Sequence, residues 1–187
     1  MAAQIVVVRH GETEWSAAGK HTSRTDLGLL PAGRARAAEI GETLRGREFS
    51  LVLCSPLRRA RETCSLAGFE DAAVIDEDLS EWDYGSYEGM TTPEIRSDHP
   101  EWILWRDGCP GGELPGAVGA RADRALQRLR DAGGDALVFA HGHILRVLTA
   151  RWLGMEVAAG RRLALKAGGI GLLGFERATE VLEGWNG

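Results

Sequence analysis

Ile5-Val6-Val7-Val8-Arg9-His10-Gly11-Glu12-Thr13 is the stretch that decides how this chain folds. Four consecutive β-branched residues with no polar alternation describe a strand buried on both faces. The run stops at a cation, an imidazole and a glycine. A polar cluster therefore stands where a buried strand ends. Two later stretches repeat the arrangement: Leu51-Val52-Leu53-Cys54 runs into Ser55-Pro56-Leu57-Arg58, and Ala136-Leu137-Val138-Phe139 runs into His141-Gly142-His143. Open parallel sheets build their sites beyond the carboxyl ends of strands. The three clusters, distant in sequence, are expected to share one crevice.

Helical patterns separate these strands. Pro31 opens one that reaches about Arg45, with Ala37, Ile40 and Leu44 as its apolar stripe. Ser55-Pro56 reads as the N-cap and first residue of a helix to about Leu66. Further helices are expected over 118–130 and 144–153, and a short strand over 73–75. Residues 81–110 are rich in aromatics and glycine and suggest one or two short helices. Residues 163–182 suggest two or three strands, with a Gly168-Gly169 turn between the first two. This alternation predicts an α/β fold: a three-layer α/β/α sandwich on a mostly parallel sheet with an antiparallel edge strand. No repeat, low-complexity tract or linker divides residues 1–187, and a single domain is expected.

Hydrophobic residues make up 44% and charged residues 26%, an ordinary globular balance. The net charge of -5 argues against nucleic acid or an anionic membrane as partner. An anionic substrate must instead be drawn by a local cationic pocket. Cys54, Cys64 and Cys109 are odd in number and lack metal-ligand spacing, which fits reduced thiols in the cytoplasm. Met1-Ala2-Ala3-Gln4 has no basic leader, and no apolar run reaches the roughly 18 residues of a membrane helix. A cytoplasmic location is expected.

The strand-end residues match the needs of phosphoryl transfer without metal or cofactor. A neutral imidazole is a nucleophile near pH 7, which suits His10. Arginine binds two phosphate oxygens at once and stays charged, so Arg9 and Arg58 are read as the clamp. His141 is a second donor. The leaving oxygen needs an acid on a nearby loop; Glu81 leads, while Asp83, Glu88 and Asp78 remain open on chemistry alone.

The chain resembles the histidine phosphatase superfamily, also called phosphoglycerate mutase-like. Arg9-His10-Gly11-Glu12-Thr13 is similar to that family's signature. Residues 54–63, Leu79 to Gly89, and Ala140-His141-Gly142-His143 resemble its other motifs in the same order. The resemblance implies phosphate contact by Arg58, proton donation by Glu81 and a donor role for His141 rather than His143. Many members follow the signature with Trp-Asn, whose amide helps bind phosphate. Here the shorter Ser16 follows Trp15, so the contact is either lost, kept by Ser16, or taken over by Thr22 or Ser23. Gly142 is expected to let the backbone approach the ligand. Thr13-Glu14-Trp15-Ser16 and three further segments resemble a sedoheptulose-bisphosphatase and actinobacterial acid phosphatase subgroup. The implied substrates are small phosphomonoesters such as sugar phosphates or bisphosphates.

A phosphoglycerate mutase-type transferase is the alternative. It is disfavoured by the short chain and by Trp82-Asp83-Tyr84-Gly85, where mutases typically have Arg-His-Tyr-Gly. A metal-dependent hydrolase would need more ligands than His141 and His143, and a non-catalytic phosphate-binding module would not need the full set. Trp82, Trp102 and Trp105 are read as packing rather than as pocket wall. His21 and His99 are expected to be exposed, and Arg59 and Arg61 to be surface residues or secondary contacts. Oligomeric state is not legible.

Overall fold

The computed structural model describes residues 3–187; Met1 and Ala2, part of the leader reading, lie outside the described residues. The chain begins with β1 (Ile5–Arg9), the one-turn helix α1 (Glu14–Ala17) and α2 (Pro31–Thr43). It continues with β2 (Leu51–Cys54), α3 (Arg58–Leu66) and β3 (Ala73–Ile75). The aromatic segment carries α4 (Thr92–Asp98) and α5 (Leu104–Asp107). Then come α6 (Pro115–Asp131), β4 (Ala136–Ala140), α7 (Gly142–Trp152), β5 (Ile170–Glu176) and β6 (Thr179–Trp185).

The strands form one sheet in the order β3-β2-β4-β1-β5-β6. β3, β2, β4 and β1 are mutually parallel, while β5 runs against both β1 and β6. The antiparallel strand therefore lies one place in from the edge, and β6 closes that edge. The reason is the short connection: Glu176 pairs with Thr179, leaving only Arg177 and Ala178 to turn the chain, and two residues can join only antiparallel neighbours.

Side chains of a strand alternate between faces, and here each face meets its own helices. Val6, Val8, Val52, Leu137 and Phe139 pack with Ile40, Ala60 and Cys64 from the α2 and α3 side. Ile5, Val7, Leu53 and Val138 pack with Val118, Ala122 and Leu126 of α6 and Ile144 and Leu148 of α7. The result is the expected three-layer sandwich. Trp82 and Trp105 meet edge to face at 5.6 Å, and the indoles of Trp82 and Trp102 donate to the Glu113 and Gly108 carbonyls. These aromatics pack the second core, as expected.

Two local expectations are corrected. Gly168-Gly169 does not join two strands. Gly168 takes φ 64° in a turn ahead of β5, and residues 163–169 form no strand. Gly168 N–H donates to the His10 carbonyl and Arg9 N–H donates to the Gly169 carbonyl, so this turn braces the end of β1. Ser55 is not the N-cap of α3. The helix starts at Arg58, and Leu57 occupies the cap position without a side-chain bond. The Ser55 hydroxyl is held elsewhere, as follows.

Candidate active site

The carboxyl ends of β1, β2 and β4 lie side by side. His10 N–H donates to the Ala140 carbonyl and Ser55 N–H to the Phe139 carbonyl, which ties the three strand ends together. A cavity of about 280 Å³ opens there, lined by Arg9, His10, Glu81, Gly142 and His143 among others.

His10 is buried, with Nδ1 2.7 Å from the Gly11 carbonyl oxygen. A carbonyl only accepts, so Nδ1 carries the proton and Nε2 carries the lone pair. Burial, and then the nearby Arg9 and Arg59 charges, hold the imidazole well below the usual histidine range. The ring is therefore neutral at pH 7. Its loop is tightly seated: a Cβ on Gly11 would lie 2.4 Å from the Gly33 carbonyl oxygen, at the start of α2.

Arg9 donates from Nη1 to the Leu165 carbonyl at 2.6 Å, and its guanidinium packs against Gly142, where a Cβ would come within 3.2 Å of Cζ. Its Nε is buried with no protein partner, alone in this among side-chain nitrogens and oxygens of the described residues. An unpaired buried donor costs about 1–3 kcal/mol, and it sits at the strand end that carries His10.

Arg58 does not join this group, which corrects the sequence-based expectation. Its side chain is 60% exposed and pairs with Glu62 at 3.0 Å on the outer face of α3. Arg59 takes the inner place. It is fully buried, donates from Nε to His141 Nδ1 at 3.1 Å, and donates from its two terminal nitrogens to the carbonyls of Thr22, Ser23 and Thr25. Consecutive helical residues point about 100° apart, so only one of the two can face the crevice. The signal was present in the sequence: Ala60, Cys64 and Ala67 mark the buried stripe, and Arg59 and Thr63 flank it.

His141 lies 5.2 Å from His10, ring centre to ring centre. Its Nδ1 accepts from Arg59, so in the neutral ring Nε2 carries the proton and donates to Ser55 Oγ at 2.7 Å. Burial, then Arg59, keeps it well below the normal histidine range. Both ring nitrogens bond to protein. His141 thus orients Arg59, while the donor role toward ligand expected for it would require one of these bonds to open.

The structure separates the four carboxylates left open by chemistry. Only Glu81 lines the cavity with His10. Its Oε1 accepts from Trp82 and Ile144 N–H and its Oε2 from His143 N–H, all at 2.9 Å. Two of these donors belong to the first turn of α7, whose N–H groups have no partner within the helix. Buried Arg121 grips the carbonyls of Asp78, Ser80 and Glu81 and locks the segment. Asp78 pairs with Arg124 and Arg128, and Asp83 with Arg24. Glu88 accepts from Ser23 and Thr25 N–H and braces the loop that feeds carbonyls to Arg59.

Ser16 and Thr22 line the cavity, but their hydroxyls bond to the backbone of Thr13 and Lys20. Ser23 is outside the cavity lining and contributes its carbonyl to Arg59. His21, expected to be exposed, is instead half-buried against Tyr84 and Trp102 and lines the cavity; burial lowers it to about 4. His99 is exposed. Gly19, Lys20, Tyr84, His143 and Arg146 complete the lining. Tertiary contact alone brings Lys20 and Arg146 to notice; Tyr84 and His143 stood in the quoted motifs without a cavity role. Among the described residues no group of three His, Cys, Asp or Glu side chains is arranged to hold a metal ion, and no helix is long and apolar enough to cross a membrane.

The family model for the histidine phosphatase superfamily (branch 1) matches residues 5–187. An acid phosphatase of Mycobacterium tuberculosis is 41% identical over 96% of this chain and 90% of its own. A sedoheptulose 1,7-bisphosphatase of Saccharomyces cerevisiae is 38% identical over 81% of this chain and 68% of its own. A 2,3-bisphosphoglycerate-dependent phosphoglycerate mutase of Mesorhizobium japonicum is 35% identical over 79% of this chain and 80% of its own. A solved open reading frame of Mycobacterium tuberculosis superposes with a TM-score of 0.94 at 39% identity, covering 98% of this chain and 97% of that one. With its strand-end imidazole, its buried arginines and a match that runs from β1 to the last residue, the chain belongs to the histidine phosphatase superfamily, branch 1.

Proposed function

We propose that this protein hydrolyses small phosphomonoesters, sugar phosphates and bisphosphates among them, through a phosphorylated His10. The observation that carries the reading is the state of His10. Its Nδ1 is fixed to the Gly11 carbonyl, and the ring is kept neutral, so the Nε2 lone pair is available at the cavity.

In the first step Nε2 attacks phosphorus in line and the bond to the leaving oxygen breaks. Glu81 delivers the proton that this oxygen takes up. In the second step water attacks the phosphohistidine, its proton passes to Glu81, and inorganic phosphate leaves. Arg9 and Arg59 hold the phosphoryl oxygens throughout and stabilise the charge that spreads over them. His141 holds Arg59 in register. The chain works as a single domain, in the cytoplasm, with a small phosphorylated substrate and without nucleic acid or membrane as partner. No cofactor enters either step.

Likeness to a phosphoglycerate mutase favours one second reading, transfer to an acceptor hydroxyl instead of water. Two measurements test the proposal. Labelled substrate quenched in alkali should leave label on His10 that is lost in acid, and the His10→Ala variant should carry none. Release of inorganic phosphate without dependence on a phosphorylated primer supports the hydrolase. Label elsewhere than on His10, or turnover retained by His10→Ala, would sink it.

A further inference from the structure

The two arginines assigned to the phosphoryl group are held very differently. Arg59 donates to His141 and to three backbone carbonyls. Arg9, among the described residues, donates from its guanidinium to the Leu165 carbonyl alone, at 2.6 Å, and its Nε is left unpaired. β1 fixes the Arg9 backbone, but the direction of the long side chain rests on that single bond. The bond is only as well placed as the carbonyl that accepts it. Leu165 lies in the irregular segment 163–169, with no helix or strand ladder to hold its peptide groups.

What holds them comes from the end of β6. Asn186 Oδ1 accepts the Lys166 N–H at 2.8 Å, and its Nδ2 donates to the Ala164 carbonyl at 2.8 Å. The Trp185 indole N–H donates to the same carbonyl at 2.6 Å. The Leu165 carbonyl and the Lys166 N–H belong to one planar trans peptide unit and point opposite ways. Asn186 therefore fixes one side of the plane whose other side receives Arg9. Asn186 is itself seated. Its φ is 63°, a left-handed conformation that asparagine adopts more readily than most residues. Gly187 N–H donates to the Ile170 carbonyl, and Arg36 joins the carbonyls of Gly168 and Gly187. Gly169 leaves the amide its room, since a Cβ there would lie 3.0 Å from Asn186 Oδ1.

We propose that Asn186 is a positioning residue for phosphoryl transfer. Through the Leu165–Lys166 peptide it sets where the Arg9 guanidinium points, and so aims one arm of the phosphoryl clamp. Asn186 does not line the cavity, and it acts there through Arg9 alone. The edge strand β6 thus serves the chemistry of β1, two places away in the sheet. The inference rests on the phosphomonoesterase reading and adds to it the group that aligns Arg9.

The test is a double-mutant cycle. Asn186→Gly removes the amide and keeps the left-handed backbone without strain. It should lower kcat/KM for p-nitrophenyl phosphate, and weaken inhibition by orthovanadate, each by about tenfold. Arg9→Met removes the guanidinium, and on that background the same glycine change should cost less than about twofold. A loss under about threefold in Asn186→Gly, or equal losses on both backgrounds, overturns the proposal. Arginine side-chain NMR with vanadate bound gives a direct readout. The Nε–H signal that is missing in Arg9→Met should broaden in Asn186→Gly, while that of Arg59 keeps its width; an unaltered Arg9 signal also overturns the proposal. Should Asn186→Gly fold poorly, Trp185→Phe loses only the indole N–H on the Ala164 carbonyl. Its expected loss of about threefold should vanish in the same way on the Arg9→Met background, and a loss that persists there counts against the proposal. Alkali-stable label on His10 of the wild type reports the phosphohistidine chemistry separately. The vanadate and NMR measurements need no turnover, so a failed positioning role is distinguished from a failed phosphatase reading.

Discussion

At the end of β1 the functional side chains follow the strand directly, whereas at the end of β2 they wait for a helix to turn. Arg9 is the last residue of β1 and His10 the next, so the strand's own direction delivers both to the crevice. After β2 come Ser55, Pro56 and Leu57, and only then α3, whose rotation sends Arg58 outward to Glu62 and Arg59 inward to His141. A strand end places a residue by position alone. A helix start places it by phase, and a shift of one residue exchanges solvent for site.

Substitutions at Arg59 sharpen this contrast most. Arg59→Ala should lower kcat/KM for phosphomonoesters by roughly 10²–10³, because a fixed donor to the developing charge is lost. Steady-state kinetics with the folded variant checks it, and a loss under tenfold would return the clamp role to Arg58.

The pH dependence of stability probes the imidazoles gathered at the strand ends. Burial holds His10, His141 and His143 well below the usual range and His21 at about 4. The unfolded chain takes up protons at these residues near pH 6.5, and the folded chain does so only at lower pH. Their contribution is therefore complete above about pH 6.5 and is lost as pH falls below it, by about 1.4 kcal/mol per pH unit for each histidine. Carboxylates held low by arginines, such as Asp78, act in a lower window. Denaturant unfolding at pH 7.5, 6.5 and 5.5 should show the decline already between 6.5 and 5.5. A flat profile there would mean these rings are charged in the folded state.

Ser55→Ala carries a smaller effect. It removes the acceptor of the His141 Nε2–H and frees the ring that orients Arg59. A fall of about tenfold in kcat is expected, with little change in phosphate affinity, by analogy with groups that orient metal ligands. Unchanged kcat would show that His141 needs no fixed tautomer. Arg58→Ala should matter least. It removes an exposed pair with Glu62, worth about 0.5 kcal/mol or less in thermal unfolding, and activity should stay within about twofold.

The sequence by itself determined the strands, because unbroken runs such as Val6 to Val8 have no stable place except between two covered faces. It also determined where β1 and β4 would present His10 and His141, since both imidazoles follow their strands immediately. Its four motifs placed Glu81 ahead of Asp78, Asp83 and Glu88, and of these four Glu81 alone lines the cavity with His10. Between Arg58 and Arg59 the sequence offered only the stripe of Ala60, Cys64 and Ala67, and the tertiary structure decided by starting α3 at Arg58 and turning Arg59 to His141. Only the tertiary structure brought His21 and Lys20 to the cavity, since both lie in a segment without a strand end to announce it, and showed that Tyr84 and Arg146 line it as well. Their meeting is a long-range packing event that local pattern does not fix. The same packing gave Gly168-Gly169 its work, as a brace on β1 rather than a turn between strands.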